Sequence, residues 1–362
     1  MSEDIYVRLG ERLNQNPVKL PLIEPVLAFL REVFTEEQAG LGAEFPLGAH
    51  TLKQLAEQLN RHEGPLERLL EEMADEGLIF VKKKEKGEKE YSLSPFAPGI
   101  FEFQSLKGEE NDKVKKRIKA LREVHEGLEA LAGDLLKNPE LANETLGPPG
   151  LRTLAVEAEL PGNTQIATWE QISKILDREE SFAVGACACR QEKKLSGEPC
   201  KIDAPRDACV YFGKVADFMI ERAFAKRYSK EELLALLETC EKHGLVHNIN
   251  NFLGDNIVMC NCCGCCCYFL VGMKKYRGLK QVAGSNFVAM ADQETCIGCG
   301  DCVDRCQMDA LEMEGESVRV IERYCIGCGN CISECPSESL SLLRCDQVAP
   351  PEKPKEIVGL GV

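Results

Sequence analysis

The chain has 362 residues, which is enough for two or three domains and more than one hydrophobic core. Its formal net charge of −15 makes it a poor general binder of nucleic acid and favours docking to basic surfaces. No basic segment followed by an apolar run opens the sequence, and the longest apolar stretch, Val258 to Met273, is short for a membrane span. We therefore expect a soluble, cytoplasmic protein.

The first predicted elements are a helix, a turn, a second helix and a hairpin. Residues 51–60 form a short amphipathic helix, and residues 66–76 form another whose apolar side chains recur at helical spacing. Two short strands follow, over 78–81 and 91–93. Residues 51–94 thus resemble the winged-helix family.

The charges of this region argue against DNA binding. The helix that would enter the major groove carries five carboxylates and one arginine, and phosphate contacts supply most DNA affinity. The loop lysines at 82, 83, 84 and 86 are expected to be solvated. Nucleic acid is therefore not expected as a partner, and the region is expected to contact protein, including a second copy of the chain.

Residues 105–150 are highly charged and are predicted to form a helical connector that ends at Gly147–Gly150. Further along, a helix begins at Ser229, with Glu232 in the capping-box position. Cys240 falls on the apolar stripe of that helix, so we expect it in the core and not among metal ligands.

All twenty cysteines lie at or after Cys187. A secreted disulfide scaffold would be small and would carry a signal peptide, whereas tight runs of cysteine in a long cytosolic chain indicate metal. Dense thiols also oxidise readily, which favours an anaerobic or strongly reducing cytoplasm. Two groups occupy the middle of the chain: Cys187, Cys189, Cys200 and Cys209, and then Cys260, Cys262, Cys263, Cys265, Cys266 and Cys267.

Several metal arrangements fit these ten cysteines. The first group could hold one cluster or a zinc ion by itself, or both groups could share one or two centres. We expect one or two further iron–sulfur clusters here, with zinc as the less favoured alternative. An apolar helical pattern begins at Tyr268, and a helix N-terminus there would stabilise thiolates.

Two other side chains near these groups have alternative interpretations. Arg190 could compensate anionic sulfur or form an ordinary salt bridge. His247 could be an unusual ligand or a hydrogen-bond donor, although a satisfied surface histidine is the preferred interpretation.

The C-terminal part contains a repeat of C-x2-C-x2-C-x3-C, over residues 296–306 and 325–335. In that pattern three cysteines wrap one four-iron cube and the fourth reaches across to the other, whereas zinc usually takes C-x2-C pairs. The spacing therefore predicts two [4Fe–4S] clusters as the iron sites. Cys296, Cys299, Cys302 and Cys335 are expected to hold cluster 1, and Cys325, Cys328, Cys331 and Cys306 to hold cluster 2.

This segment resembles two-cluster bacterial ferredoxins, with one departure. Gln307 follows Cys306 where those proteins have proline. Proline is not a ligand, so the departure affects local stiffness and potential but not the predicted clusters.

Over nearly its full length the chain resembles a family of multi-cysteine 4Fe–4S-binding proteins, which combine a winged-helix-like front, a C-x-C-R segment, a C-N-C-C-G-C-C-C run and a tandem ferredoxin tail. The resemblance implies electron transfer in anaerobic metabolism with a redox partner protein, such as a larger oxidoreductase complex. It does not identify a substrate.

We predict an α+β fold divided into a winged-helix-like domain (1–104), a charged helical connector (105–150), a cysteine-rich domain (151–285), a two-cluster ferredoxin domain (286–345) and a tail (346–362).

Three functions remain open from the sequence. The first is an electron conduit, the second an oxidoreductase with the 187–267 centre as its active site, and the third a redox-sensing regulator. No Walker or dinucleotide motif is visible, and no catalytic residue is assigned.

Overall fold

The computed structural model describes residues 4–16, 19–84, 87–162, 165–345 and 348–352. The loop lysine Lys86 and most of the predicted tail, 346–347 and 353–362, lie outside the described residues. Within the described ranges, no helix has both the length and the apolar character that crossing a membrane requires. Helices and strands are mixed along the chain, which is therefore an α+β protein, as predicted.

The N-terminal part consists of helices that lead into a small antiparallel sheet of order β1-β3-β2. The predicted helix after Thr51 is present, and the Thr51 hydroxyl accepts a hydrogen bond from the amide of Gln54. The second predicted helix begins earlier than expected, at Glu63, because Pro65 falls in its first turn, where proline is tolerated. The elements are α1 (Ile5–Leu13), α2 (Glu24–Val33), α3 (Glu36–Glu44), β1 (His50–Thr51), α4 (Leu52–Leu59), α5 (Glu63–Asp75), β2 (Ile79–Lys83) and β3 (Lys89–Leu93).

A long charged helix connects this part to the rest of the chain. The side chain of Asn111 caps it by accepting a hydrogen bond from the amide of Val114 at 2.9 Å. One apolar stripe, which includes Ile118 and Leu121, is buried, and the helix packs on α2 while its charged faces remain in solvent. The elements are α6 (Phe101–Phe103), α7 (Asp112–Leu136) and α8 (Pro139–Leu146).

The middle of the chain forms a seven-stranded sheet of order β10-β4-β8-β9-β6-β5-β7. All neighbouring strands are antiparallel except β10 and β4. The elements are β4 (Leu151–Thr153), α9 (Ile172–Leu176), β5 (Phe182–Ala186), α10 (Ala188–Leu195), β6 (Asp207–Phe212), α11 (Gly213–Glu221), β7 (Ala225–Tyr228), α12 (Lys230–Lys242), β8 (Val246–Asn250), β9 (Val258–Cys262), α13 (Tyr268–Lys275) and β10 (Val282–Ala283).

The C-terminal part contains two antiparallel strand pairs, β11 with β14 and β12 with β13. The pair β12–β13 is a hairpin around Gly315, whose φ of +67° is in the left-handed region that favours glycine. The elements are β11 (Phe287–Ala291), α14 (Asp301–Arg305), β12 (Leu311–Glu314), β13 (Ser317–Val320) and β14 (Leu340–Arg344).

One hydrophobic core extends from the N-terminal helices into the middle sheet. It contains Phe29 and Phe101 from the N-terminal part together with Cys187, Cys209 and Tyr211 from the cysteine-rich region. The predicted domain boundaries stay predictions, but the shared core means that the N-terminal part covers one side of the first cysteine group.

Glu71 of α5 connects the same two parts through polar contacts. Its carboxylate accepts hydrogen bonds from Lys89, Tyr91 and Arg222, and the Arg222 guanidinium is buried. Burial raises the pKa of Glu71, but these hydrogen bonds outweigh it and lower the pKa to about 2. The ionised carboxylate is therefore favoured in the folded chain.

We expect Glu71→Gln to lower the free energy of unfolding by about 2 kcal/mol at neutral pH. Because the folded pKa lies below the ordinary value of 4.5, the contribution of Glu71 is complete above pH 4.5 and is lost as the pH falls towards 2. In denaturant titrations, the difference in free energy of unfolding between variant and parent should therefore fall at pH 3 to about half of its value at neutral pH. Glu72→Gln, at an exposed position of the same helix, is the control. An effect of Glu71→Gln that does not change with pH would contradict the assignment.

Candidate metal centres

The predicted ligands of cluster 1 line one pocket of the C-terminal part. Its cysteines are Cys296, Cys299, Cys302 and Cys335. Gly298 and Gly300 have φ of +68° and +84°, so glycine is required for the loop to wrap the pocket. The pocket is close to solvent, since Ile297 on its rim is 65% exposed.

The predicted ligands of cluster 2, Cys306, Cys325, Cys328 and Cys331, line a second pocket. Backbone amides point at its sulfurs: the amide of Ala310 donates to Cys306 Sγ at 3.2 Å, and that of Gly327 donates to Cys325 Sγ at 3.4 Å. Burial raises the pKa of Cys328 to about 12, so a bound cation has to displace the thiol proton. The four cysteines at each pocket match the four thiolate ligands that a four-iron cube requires.

Six of the ten upstream cysteines form a closed ring of thiol contacts. Each thiol is close enough to two neighbouring thiols to shift their pKa values, and the sequence of neighbours returns to the starting residue. In ring order the members are Cys187, Cys189, Cys267, Cys262, Cys260 and Cys209. We call this set the six-cysteine ring.

The secondary structure explains how the ring is assembled. Cys209 of β6 lies directly opposite Cys260 of β9 in the sheet. Cys187 and Cys267 are the N-cap residues of α10 and α13. The contact with Cys189, together with the one with Cys262 and the amides of the first turn of α13, holds the pKa of Cys267 well below its usual value. The predicted helix N-terminus beside the cysteine run is thus confirmed.

The other four upstream cysteines, Cys200, Cys263, Cys265 and Cys266, form a much tighter group, which we call the four-cysteine group. Their sulfur atoms all lie within 4.8 Å of one another. The sulfur of Cys200 is 3.6 Å from that of Cys263 and 3.5 Å from that of Cys265. Cys265 and Cys266 are 3.8 Å apart.

Neither site uses one sequence group alone. Each site combines cysteines of both sequence groups. Within the second group, Cys260, Cys262 and Cys267 belong to the six-cysteine ring, and the other three belong to the four-cysteine group. The structure therefore does not bring the four cysteines of the first group together. Cys200 lies with Cys263, Cys265 and Cys266, whereas Cys187 lies beside Cys189 and Cys209.

Arg190 lies between the six-cysteine ring and the four-cysteine group. Its side chain is 5% exposed, and none of its guanidinium nitrogens has a hydrogen-bond partner among the described residues. Burial alone would lower its pKa, but neighbouring cysteines, Cys187 and Cys263 foremost, raise it. Of the two predicted roles, compensation of anionic sulfur is the one that these surroundings favour.

Cys240 and His247 take no part in either sulfur set. Cys240 is fully buried in an apolar cluster, as predicted. The expectation that His247 is a surface residue is wrong, since it is 1% exposed on β8. Its ring is satisfied by hydrogen bonds with Asn261 at 2.5 Å and Glu241 at 3.1 Å, because a buried polar ring requires partners.

Sequence reasoning missed a tight junction between the cysteine run and the C-terminal part. The Gln307 side chain accepts a hydrogen bond from the amide of Gly264 at 2.7 Å. A Cβ atom built on Gly264 would lie 2.1 Å from the backbone oxygen of Gln307, so only glycine fits. The departure from proline after Cys306 was the available signal, because proline has no side-chain acceptor for this contact.

Protonatable side chains beside the ring were also missed. Glu102 lies close to Cys260 and His125, and burial raises the pKa of its carboxyl to about 7. The rings of His125 and Tyr268 are 4.1 Å apart, and the Tyr268 hydroxyl donates to Glu192. These residues come from α6, α7, α10 and α13, so no local pattern connects them.

Residues 289–342 match a family model described as a 4Fe-4S dicluster domain. No curated protein and no solved structure matches the chain. The C-terminal part is thus a ferredoxin-like 4Fe–4S domain, and the chain is an iron–sulfur protein.

Proposed function

We propose that this chain is an electron-transfer protein, in which the two ferredoxin-type sites exchange electrons with a further iron–sulfur centre in the six-cysteine ring. The observation that carries the proposal is a single packed cluster of side chains. It contains Cys260, Cys262 and Cys267 of the ring together with the cluster 2 cysteines Cys306, Cys325 and Cys328. When loaded, such clusters take up and release single electrons.

The ring is suited to a polynuclear group and not to a single ion. Among the described residues, no three of its sulfurs gather within 4.8 Å of one another as the ligands of a single ion would. Six thiolates also exceed what a cube takes from protein, which favours a larger cluster or one with different ligation. Core packing on the N-terminal side, together with the C-terminal part, excludes water from it.

Several contacts hold the C-terminal domain in a fixed position against the ring. Besides the Gly264–Gln307 contact, the Arg305 guanidinium donates to the backbone oxygens of Glu241 at 2.6 Å and Lys242 at 3.1 Å. The amide of Val156 donates to the Cys328 oxygen at 2.9 Å. Fixed geometry favours electron transfer because a mobile domain would vary the distance between the centres.

The rim of the cluster 1 pocket is the proposed docking face for the redox partner. Ile297 and Met313 are 65% and 40% exposed there, next to the carboxylates of Asp301 and Glu334. Exposed apolar side chains with acidic neighbours suit a partner that presents an apolar patch bordered by basic residues. The partner would meet cluster 1 first, then cluster 2, then the ring.

The winged-helix-like N-terminal region is proposed to act through protein contact. Its acidic helix α5 faces the middle part, where Glu71 and Asp75 pair with Arg222. A helix engaged in this way is not available to a DNA groove, which disfavours the regulator hypothesis.

The first test is metal analysis combined with a variant that lacks cluster 2. Anaerobically prepared protein is expected to hold at least about eight irons with matching sulfide from the C-terminal domain alone. In Cys325→Ala, a protein donor added in less than stoichiometric amounts should still reduce cluster 1, while the upstream centre stays oxidised in freeze-quenched EPR spectra. Cys345→Ser, at an exposed position outside both pockets, is the control. Equal reduction of the upstream centre in both variants would refute the pathway.

Glu102, His125 and Tyr268 favour a second candidate function, the reduction of a small molecule at the ring. Proton-carrying groups beside an electron-accepting centre are what a coupled proton and electron transfer requires. Turnover of small-molecule oxidants by the reduced protein, without a partner and with loss of rate in Glu102→Gln, would favour this candidate over the conduit.

A further inference from the structure

We propose that the four-cysteine group, Cys200, Cys263, Cys265 and Cys266, binds one zinc ion as a structural site separate from the iron–sulfur centres. The assignment goes beyond the proposed function and does not depend on it. For these four cysteines, zinc is thus proposed in place of the iron–sulfur cluster expected from the sequence.

The sulfur separations carry the assignment. Zinc bound by four thiolates is tetrahedral, and a Zn–S distance of about 2.3 Å gives sulfur–sulfur edges of about 3.8 Å. The observed separations of 3.5, 3.6 and 3.8 Å agree with those edges. All four sulfurs thus fit around one ion.

The same separations are too short for a four-iron cube. In a cube each ligand sulfur binds its own corner iron, so the sulfurs stand further apart than they do around one ion. The predicted ferredoxin ligands line two other pockets, and their sulfurs are not gathered within 4.8 Å of one another. Across the described ranges, the four-cysteine group is the only set of three or more metal-ligating side chains gathered within 4.8 Å.

Charge supplies an independent argument for a thiolate site. One zinc ion with four thiolates carries two net negative charges, which need a neighbouring cation when they are buried. The buried Arg190 side chain is near Cys263 and Cys200 and has no other hydrogen-bond partner among the described residues.

The position of the group explains what the ion would do. Cys200 lies in the loop between α10 and β6, and the other three ligands lie in the turn between β9 and α13. One ion would therefore fix the turn that presents Cys262 and Cys267 to the ring and Gly264 to Gln307. Zinc suits this role because it does not change oxidation state while electrons pass nearby.

The test uses the full-length protein, expressed in medium that contains both iron and zinc and purified without oxygen. Elemental analysis should give one zinc per chain, and zinc K-edge absorption should report four sulfurs at about 2.3 Å. In Cys265→Ala the zinc content should decrease at least about tenfold, with the EPR signals of the ferredoxin clusters retained. Cys240→Ala, which removes a buried cysteine of the same apolar cluster, should keep its zinc.

Several outcomes would overturn the assignment. These are iron with sulfide at the four-cysteine group, a mononuclear iron spectrum in place of zinc, or full zinc content in Cys265→Ala. If that variant does not fold, zinc absorption of the unmodified chain decides the question alone. Failure of the electron pathway with zinc present would refute only the proposed function, because zinc content and iron-cluster spectra are separate measurements.

Discussion

Replacing Arg190 with methionine is expected to lower the metal content of the upstream cysteines by about tenfold or more and to leave the ferredoxin clusters loaded. The Arg190 side chain is buried beside both upstream sites, and no carboxylate among the described residues pairs with it. Methionine keeps much of the side-chain volume and removes the charge. The bound thiolates would then carry buried negative charge without compensation.

Metal analysis of the variant would check this, with zinc, iron and sulfide counted per chain and the ferredoxin EPR signals as the internal reference. Arg190→Lys should retain most of the upstream metal, since it keeps the charge. Arg206→Met is the control, because it removes the same charge from an arginine that is half exposed and paired with Asp207. Unchanged upstream metal in Arg190→Met would show that the guanidinium has no role in binding the thiolates.

Replacing Gly264 with alanine is expected to separate the C-terminal domain from the cysteine run. The new methyl group would lie 2.1 Å from the Gln307 backbone oxygen, which is far shorter than a van der Waals contact. Because the clash is with backbone, a change of side-chain rotamer cannot relieve it. We expect a loss of about 1–3 kcal/mol of stability from overpacking. Electron exchange between cluster 2 and the ring should also slow, because the centres move apart.

Denaturant titration and freeze-quench EPR would measure the two effects on one preparation. Gly133→Ala is the control, since a Cβ atom at that helical position meets nothing within 4 Å. Gln307→Leu gives a milder comparison that removes the acceptor for the Gly264 amide without a backbone clash. Rates in Gly264→Ala equal to those of the control would contradict a through-contact route at this junction.

Features encoded over short segments could be predicted from the sequence. The tandem cysteine repeats correspond to a 4Fe–4S dicluster domain, because their spacing is set by how a short loop wraps a cube. The burial of Cys240 and the helix that begins after Cys267 followed from apolar periodicity. The assignment of individual cysteines to cluster 1 and cluster 2 stays a prediction.

The division of the ten upstream cysteines could not be predicted in this way. Cys262 and Cys263 are adjacent in sequence, yet one belongs to the ring and the other to the four-cysteine group. Consecutive side chains leave the backbone in different directions, so partners are chosen by what other strands and loops bring near. The antiparallel register of β6 and β9 sets Cys209 against Cys260. The loop after α10 carries Cys200 to the turn between β9 and α13.

That this chain is an iron–sulfur protein could be concluded from the sequence, because three ligands of each cube lie within one short loop and the repeat supplies the fourth. Three-dimensional packing was needed to show which upstream thiols lie together, that Arg190 lies between the two sets, and that Gln307 contacts Gly264. Each of these depends on segments far apart along the chain, and their contacts arise from packing of the sheet and its covering helices.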